Sequence, residues 1–460
     1  MSTFLHFKKR KKIYIAQNMA TIFETPEEAA IASVAVETAE AWFDEVMASS
    51  CASMSVFRRA GEGSVAISYA SMRFDERRDR GVRRALRSVP QTHADAPRLV
   101  IITGWSESWL KYKEVVRDFA CGSPDGHTKP LDIQGVYMMD HASQGLSGRY
   151  VDDPQLGHVP DFDTYVRDIA YFIQHIVFAD YDLDDPSRPP LYLLAHSMGG
   201  LAATRYAVQH PGVIDRLLLS SPMLGMKLPG PLPVIYGLAR IMCSLGKGSM
   251  YLPPKGPGRG PELDPVPVNR CSMSKVRLGR WEQTRRENGR VIMSGQSFQW
   301  LLTSLQSRLD ASTLTEHDID ALRYTRGGIF IVSAELEILV DNAAHAHMAK
   351  SLGPSCCTRV IIKGGKHETL VERESVRKDA MREITNFFSS QDTESEERER
   401  VLGVPTGTTL QRRMSNFVGK VVVASLSCPY MLVMTACAVA AAAALIPLTT
   451  PESSTWKLAS

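Results

Sequence analysis

The feature that most constrains this chain is a repeated alternation between short apolar segments and longer amphipathic ones. Near-continuous apolar runs that end in small or polar residues are typical of strands buried on both faces. The stretches between them, such as 162–177 and 199–210, show helical spacing. Strands that alternate with helices predict an α/β fold with a mostly parallel central sheet and helices on both faces. The apolar segments are residues 97–104, 135–141, 190–197, 216–222, 328–335 and 359–365.

The alternation is interrupted once, between residues 222 and 328. The middle of this stretch is rich in glycine and proline, and apolar or helical segments lie on either side of it at 232–245 and 294–310. An insertion of this size between two core strands predicts a cap or lid. We place it at about residues 223–312 and call it the cap insertion.

The N-terminal residues 1–60 are interpreted as a helical and partly disordered extension. Thr25 followed by Glu28 is typical of a capping box at the start of a helix. Residues 64–74 alternate as a strand does, so the main domain is predicted to span residues 61–390. The basic cluster at residues 8–12 is not followed by the apolar run that a secretory signal needs, and no cleaved signal is predicted.

Charge and cysteine content exclude several classes of function. Lysine and arginine number 53 against 50 aspartate and glutamate, so the net charge of +3 gives no reason to expect nucleic acid as a partner. The 8 cysteines have no metal-binding spacing. We therefore expect free thiols in a reducing compartment.

The C-terminal region contains a long stretch without charge. Residues 421–448 hold no charged side chain, and about 20 apolar residues suffice to cross a bilayer. We predict a transmembrane tail helix there, with a polar linker at 391–420 and a short tail at 449–460. Basic residues before the stretch favour a membrane-associated protein whose main domain faces the cytosol. The alternative is a buried alanine-rich core helix.

The strongest local motif is LYLLAHSMGG, residues 191–200. An apolar strand leads directly into a helical pattern through Ala195, Ser197 and Gly199, which match a nucleophile elbow of the form A-x-S-x-G. Such a sharp turn exposes the serine hydroxyl and leaves the backbone N–H of Met198 at a helix N-terminus. Ser197 is the candidate nucleophile; the alternative is a serine in an ordinary strand-to-helix turn.

The order of the residues after Ser197 is that of a serine–acid–histidine triad. His367 follows a strand-like segment in a glycine-rich loop, which makes it the candidate general base. Glu335, Glu337 and Asp341 are the acidic residues available at or after the strand-like segment 328–335. Glu337 is favoured over Asp341 because it lies in the turn just past the strand, whereas Asp341 has the position of a helix N-cap. The Trp105 N–H, after the turn at Gly104, is the second candidate oxyanion donor beside Met198.

With these motifs, residues from about 98 to 388 resemble the monoglyceride lipase and lysophospholipase group of α/β-hydrolases, also described as serine aminopeptidase S33-like. Ala142 and Ser143 stand where that group usually has arginine and glycine, and Glu337 stands where its acid is usually aspartate. The resemblance implies hydrolysis of an ester bond in a monoacyl lipid without a metal or organic cofactor. The segments that carry it are residues 104–112, 140–149, 152–168, 193–200 and 361–372.

The sequence therefore predicts a membrane-associated serine hydrolase of the α/β-hydrolase fold that acts on lysophospholipid or monoacylglycerol. The apolar residues 223–245 and 296–302 are expected to line an acyl channel and to touch the membrane. Two alternatives remain. One is a carboxylesterase or peptidase on the same fold, and the other is a catalytically silent, membrane-tethered binding protein.

Overall fold

The computed structural model of the protein describes residues 24–60, 63–75, 80–256 and 269–390. Within them, eight strands form one sheet in the order β1-β2-β4-β3-β6-β7-β9-β10, and two short strands, β5 and β8, form a second. The strands are β1 (Ala52–Phe57), β2 (Ile67–Arg73), β3 (Arg98–Ile102), β4 (Gly135–Met139), β5 (Leu156–Gly157), β6 (Leu191–His196), β7 (Arg216–Ser220), β8 (Gly295–Gln296), β9 (Ile329–Ala334) and β10 (Cys357–Ile362).

The main sheet is mostly parallel. From β4 to β10 every neighbouring pair is parallel, while β2 pairs antiparallel with both β4 and β1. Five of the six apolar segments of the sequence contain one of these parallel strands, and the sixth, 359–365, overlaps β10, which begins two residues earlier. Residues 64–74 contain β2. The predicted sheet is thus confirmed. The edge strand β1, by contrast, was not predicted and lies before residue 61.

Helices connect the strands and lie on both sides of the sheet. Thr25 forms the expected capping box with Glu28 at the start of the first helix. The helices are α1 (Pro26–Met47), α2 (Arg80–Ala85), α3 (Lys113–Cys121), α4 (Asp163–Phe172), α5 (Ser197–Gln209), α6 (Leu232–Ser244), α7 (Lys275–Glu287), α8 (Phe298–Gln306), α9 (Glu316–Leu322), α10 (Asn342–Leu352) and α11 (Glu374–Ser389). A π-helical turn at Ile173–Val177 continues α4, and 3₁₀ turns occur at Trp109–Tyr112, Gly289–Val291 and Thr369–Val371.

The central strands separate two apolar layers. Along β3 the side chains alternate: Val100 and Ile102 pack with α4 and α5 on one face, and Leu99 and Ile101 pack with α3 and α11 on the other. All four are completely buried. Because alternate residues of a strand point to opposite faces, a strand with both sets apolar requires helices on both sides. This is the layered α/β architecture that the sequence predicts.

Helix α7 of the cap insertion is fixed to the main domain by buried charges. The Arg277 guanidinium donates from Nε and Nη2 to the carboxylate of Glu114 at 2.8 and 2.7 Å, and from Nη2 to Glu374 at 2.6 Å. Glu24, just before α1, accepts hydrogen bonds from the Ser274 hydroxyl at 2.6 Å and the Lys275 N–H at 2.7 Å. The first turn of α7 is therefore held from both sides.

Helix α6 of the same insertion has an exposed apolar stripe. Val234, Leu238 and Ile241 of α6 are 66, 53 and 56 % exposed, and Leu245, the residue that follows the helix, is 64 % exposed. Their spacing places them on one side of the helix. Ala239 is the buried residue of α6.

Several predictions concern segments outside the described residues. Among the helices of the described part of the chain, none combines the length and the apolar character that crossing a bilayer requires. The linker at 391–420, the tail helix at 421–448 and the short tail at 449–460 lie outside that part, as do residues 1–23 of the extension.

Candidate active site

The turn between β6 and α5 presents Ser197 at the carboxyl end of a central strand. Strand β6 ends at His196 and α5 begins at Ser197, whose φ of 52° lies in the left-handed region. Two glycines allow this close crossing. A Cβ on Gly199 would overlap the carbonyl oxygen of Thr103, and one on Gly200 would lie 2.7 Å from the Pro222 Cβ. The backbone here has the strained conformation of a nucleophile elbow.

Three of the predicted side chains meet in one hydrogen-bonded chain. His367 Nε2 lies 2.8 Å from Ser197 Oγ, and His367 Nδ1 lies 2.7 Å from Glu337 Oε2. All three residues are buried. A carboxylate can only accept, so the Nδ1–H donates to Glu337 and the Nε2 lone pair faces the serine hydroxyl. This is the tautomer that a general base for Ser197 requires.

Glu337 is held as a carboxylate by its surroundings. Its Oε1 accepts hydrogen bonds from the backbone N–H groups of Leu339 at 2.7 Å and Val340 at 3.2 Å. Burial raises its pKa, but the hydrogen bond and charge of His367 and the two N–H groups outweigh burial and lower the pKa to about 2. The carboxylate is therefore ionised at neutral pH.

Asp341, the alternative acid, has a different place in the structure. Its side chain accepts the Ala343 N–H at 2.9 Å and caps the N-terminus of α10, as the sequence predicts. Of the two candidates, it is Glu337 that contacts His367. The residue pattern alone left the choice of acid open, and the geometry favours Glu337.

The loop after β3 lies directly against the elbow. A Cβ on Gly104 would lie 2.8 Å from His196 Cδ2 and 3.2 Å from Ser197 Cβ, so no side chain fits there. Trp105 is the next residue of this loop, and Met198 is the second residue of α5. N–H groups in the first turn of a helix have no acceptor within the helix. The two candidate oxyanion donors thus belong to the two segments that border Ser197.

A glutamine that sequence reasoning missed fixes this loop. Gln144 donates from Nε2 to the Gly104 carbonyl at 2.6 Å and accepts the Ser106 N–H at 3.2 Å. It belongs to the segment 140–149, whose resemblance to the family was the signal available. In the same segment, Asp140 accepts the Trp109 N–H at 2.7 Å and the Ser108 hydroxyl at 2.8 Å. The segment 140–149 therefore holds the oxyanion loop through these hydrogen bonds.

The side chains of Glu107, Trp109 and Tyr112, which follow Trp105 in the chain, have structural contacts. Glu107 Oε2 accepts the Gly104 N–H at 2.6 Å and the Tyr112 hydroxyl at 2.8 Å. Trp109 is completely buried and stacks on Phe43 of α1 at 6.3 Å between ring centroids. These residues brace the loop that carries Trp105.

One cluster in the described part of the chain has the residue types of a metal site. Ligand atoms of Glu107, His196 and Glu368 lie within 4.8 Å of one another. The Lys111 ammonium, however, lies 2.7 Å from an oxygen of each glutamate. It already supplies a positive charge between the two carboxylates, so these residues fit an ion pair better than a metal.

The sheet order, the elbow and the serine–histidine–glutamate arrangement define the class of protein: an α/β-hydrolase. Residues 96–374 match the family described as serine aminopeptidase, S33. Because this match covers more than half of the chain, the protein belongs to that family. Helix α1 and strands β1 and β2 lie outside the matched residues.

Among known proteins, the chain is similar to lysophospholipases and monoglyceride lipases. The chain is 30 % identical over 317 residues to the probable lysophospholipase L2 of Haemophilus influenzae. The matched region covers 68 % of this chain and 90 % of that protein. It is 30 % identical over 313 residues to lysophospholipase L2 of Escherichia coli K12, covering 65 and 82 %. Human monoglyceride lipase is 28 % identical over 155 residues, covering 31 and 47 %.

A solved structure supports the fold. A soluble variant of monoglyceride lipase from Saccharomyces cerevisiae, in complex with a substrate analog, matches with a TM-score of 0.50 at 12 % identity. The match covers 73 % of this chain and 94 % of that one. At this identity the similarity concerns the fold alone, and it agrees with the α/β-hydrolase architecture that the sequence predicts.

Proposed function

We propose that this protein is a serine esterase that cleaves the ester bond of monoacyl lipids, lysophospholipid or monoacylglycerol, through an acyl-enzyme. The observation that carries the proposal is the unbroken chain of hydrogen bonds from Glu337 through His367 to Ser197, at 2.7 and 2.8 Å. The names of the relatives, lysophospholipase and monoglyceride lipase, support a substrate with a single acyl chain.

The proposed reaction has two halves, and His367 accepts and then gives up a proton in each. Ser197 Oγ attacks the acyl carbonyl while His367 Nε2 takes its proton, and the N–H groups of Trp105 and Met198 bind the oxyanion. His367 then gives the proton to the leaving alcohol as the ester C–O bond breaks. In the second half, water attacks the acyl-Ser197, His367 takes its proton and returns it to the serine, and the fatty acid leaves.

The exposed stripe on α6 supports contact with a lipid surface. Four large apolar side chains on one side of a helix are more than a half exposed, and such surfaces mark sites of interaction. We propose that residues 223–245 and 296–302 border the path of the acyl chain and that the exposed stripe of α6 faces the membrane. Residues 296–302 were expected to touch the membrane as well, but the side chains of Phe298 and Trp300–Leu302 are buried, so this part of the expectation is wrong. The tail at 421–448 would hold the protein there, with the main domain on the cytosolic side.

The test of the enzyme is a fluorophosphonate probe with a panel of esters. Wild type should be labelled and should hydrolyse long-chain lysophospholipid or monoacylglycerol, while Ser197→Ala should do neither. Equal labelling of the two proteins would contradict the proposal. Turnover of short esters or peptides alone would favour a carboxylesterase or peptidase instead.

The assignment of the acid has its own pair of variants. Glu337→Gln leaves the size unchanged but removes the charge that favours the correct tautomer of His367, so kcat should fall by roughly 10³–10⁴. Asp341→Asn keeps an N-cap residue and should leave kcat within about twofold. The reverse ranking would make Asp341 the acid.

The membrane attachment is tested by truncation. Removing residues 421–460 should release the protein from sedimented membranes while the labelling of Ser197 continues. A truncated protein that still sediments fully with membranes would contradict the role of the tail.

A further inference from the structure

A buried ammonium lies directly behind the proposed catalytic groups. Lys111, in the 3₁₀ turn Trp109–Tyr112, has a side chain that is only 5 % exposed. Its Nζ lies 2.7 Å from Glu107 Oε1 and 2.7 Å from Glu368 Oε2. The proposed mechanism uses none of these three residues. A buried lysine is costly unless it is paired, and this one is paired twice.

The two carboxylates belong to the two loops that must face each other for catalysis. Glu107 Oε2 accepts the Gly104 N–H at 2.6 Å, immediately before the candidate oxyanion donor Trp105. Glu368 directly follows His367 in the chain. The ammonium therefore connects the oxyanion loop to the loop of the general base, through carboxylates that are two residues from Trp105 and one residue from His367.

The cap insertion closes the same cluster from the other side. The Cys271 carbonyl accepts the Glu368 N–H at 2.9 Å, and the Trp281 ring lies with its centroid 5.7 Å from Lys111 Nζ. Aromatic faces attract cations at this distance. Two residues of the insertion thus hold Glu368 and Lys111 in place.

Electrostatics keep Glu107 and Lys111 in their ionised forms. Burial raises the pKa of Glu107, but the charges of Lys111 and His196 outweigh burial and lower the pKa to about 2. Burial lowers the pKa of Lys111, but the two glutamates outweigh burial and raise the pKa above its ordinary value. His196 lies between the cluster and the triad, with its ring centroid 4.8 Å from that of His367.

We propose that Lys111 is a positioning residue that sets the separation of the oxyanion loop and the general-base loop. The inference rests on the proposed function and deepens it. Without the ammonium, the buried Glu107 carboxylate would face that of Glu368, whose side chain is only 11 % exposed, and their repulsion would move Gly104 and His367 apart. A misplacement of about 1 Å in a catalytic group can cost roughly 10²-fold in rate.

The first experiment compares Lys111→Met with wild type on a water-soluble ester. We expect kcat to fall about 50-fold and KM to change less than about threefold, because Lys111 contacts the loops and not the substrate. The matched control is Lys113→Met, two residues further on, whose ammonium lies 3.7 Å from the exposed Asp44. That variant should keep kcat within about twofold.

The pH profile separates positioning from general damage to the fold. In Lys111→Met one of the two facing carboxyls should have a raised pKa and share its proton with the other. As pH rises and both ionise, repulsion grows, so the deficit in kcat relative to wild type should increase with pH. Adding Glu368→Gln removes the repulsion, and the double variant should recover at least about fivefold of the lost kcat.

The outcomes are distinct. A Lys111→Met protein with the kcat of Lys113→Met, or a deficit that neither varies with pH nor responds to Glu368→Gln, overturns the inference while the proposed function stands. If Lys111→Met does not fold, the single variant Glu368→Gln is the test. A folded Glu368→Gln protein with unchanged kcat overturns the inference. A kcat at least about tenfold lower, at unchanged KM, supports the inference. A wild type without esterase activity or labelling of Ser197 overturns the proposed function and the inference together.

Discussion

Helices α6 and α7 belong to the same insertion, yet they contact the rest of the molecule in opposite ways. Helix α6 is rich in apolar residues, and the side chains of Leu238 and Ile241 are more than a half exposed. Helix α7 is rich in arginine, and Arg277 is buried against Glu114 and Glu374. The exposed side of α6 is apolar, whereas a charged side chain of α7 points inwards.

The difference separates two tasks that a cap must perform. A buried ion pair adds little net stability, because the cost of desolvating the charges offsets their attraction. It does require a particular geometry, and removing one partner leaves a buried charge uncompensated and destabilises the fold. An exposed apolar stripe contributes little to folding and leaves contact surface for another apolar phase. We infer that α7 fixes the insertion to the domain while α6 meets lipid.

The largest effect should come from breaking the anchor of α7. Arg277→Met leaves the Glu114 and Glu374 carboxylates without their guanidinium and should lower the free energy of unfolding by about 3 kcal/mol, measured by urea denaturation. This is the low end of the usual range because Arg377 still faces Glu114 at 3.6 Å. Arg286→Ala, which removes an arginine of α7 that is 68 % exposed, should cost less than about 0.5 kcal/mol. Equal losses of unfolding free energy in the two variants would mean that Arg277 does not anchor α7.

The same anchor should weaken in acid. Burial raises the pKa of Glu114, but Arg377 and Arg277 outweigh burial and hold the pKa below its ordinary value of 4.5. A carboxyl whose folded pKa is lowered contributes stability that is present above its unfolded pKa and lost as pH falls through the folded one. The gap between wild type and Arg277→Met should therefore be full at pH 7 and should narrow as the pH falls below 4.5. Urea denaturation at a series of pH values tests this, and a gap that widens in acid would contradict it.

The outward face of α6 should affect activity and not folding. Leu238→Ser with Ile241→Ser should lower turnover of vesicle-borne substrate about tenfold, the equivalent of about 1.4 kcal/mol of lost apolar contact. Turnover of a water-soluble ester and the free energy of unfolding should stay unchanged. Ile31→Ser with Val34→Ser removes two exposed apolar side chains from α1 and should leave both activities unchanged. A loss on both substrates would mean that α6 has a structural role.

The smallest effect should come from the contact between α1 and the start of α7. Glu24→Gln removes a negative charge from the N-terminus of α7 and should cost about 0.5–1 kcal/mol of unfolding free energy. Glu37→Gln, on the exposed side of α1, provides the control and should cost nothing measurable. If the two variants unfold alike, Glu24 does not support α7.

The sequence predicted those parts of the molecule whose pattern is set by local physics. Strands β3 and β4 are buried on both faces, and their residues are correspondingly apolar. Ser197 was found because an elbow needs small residues on both sides, and His367 because a triad has a fixed chain order. The capping box at Thr25 and the N-cap at Asp341 are local as well.

The remaining features depend on contacts between distant residues. Four of the six residues of strand β1 are exposed at the edge of the sheet, so its sequence has no apolar run to reveal it. The pair Glu107 and Lys111 has helical spacing, but its burial against Glu368 follows from the packing of two loops. In the same way, an arginine-rich helix gives no sign in its sequence that Arg277 points inwards.

The two glycines behind Ser197 have a consequence for how variation in this protein would be interpreted. Gly199 and Gly200 meet the backbone of Thr103 and the ring of Pro222 so closely that even a methyl group would displace the elbow. In a survey of random substitutions, both positions should tolerate as little change as the nucleophile, although neither has a side chain to take part in a reaction. At this turn, a substitution can abolish activity because the new side chain does not fit, and not only because a reacting group is lost. A map of inactive variants would therefore overestimate the number of catalytic residues.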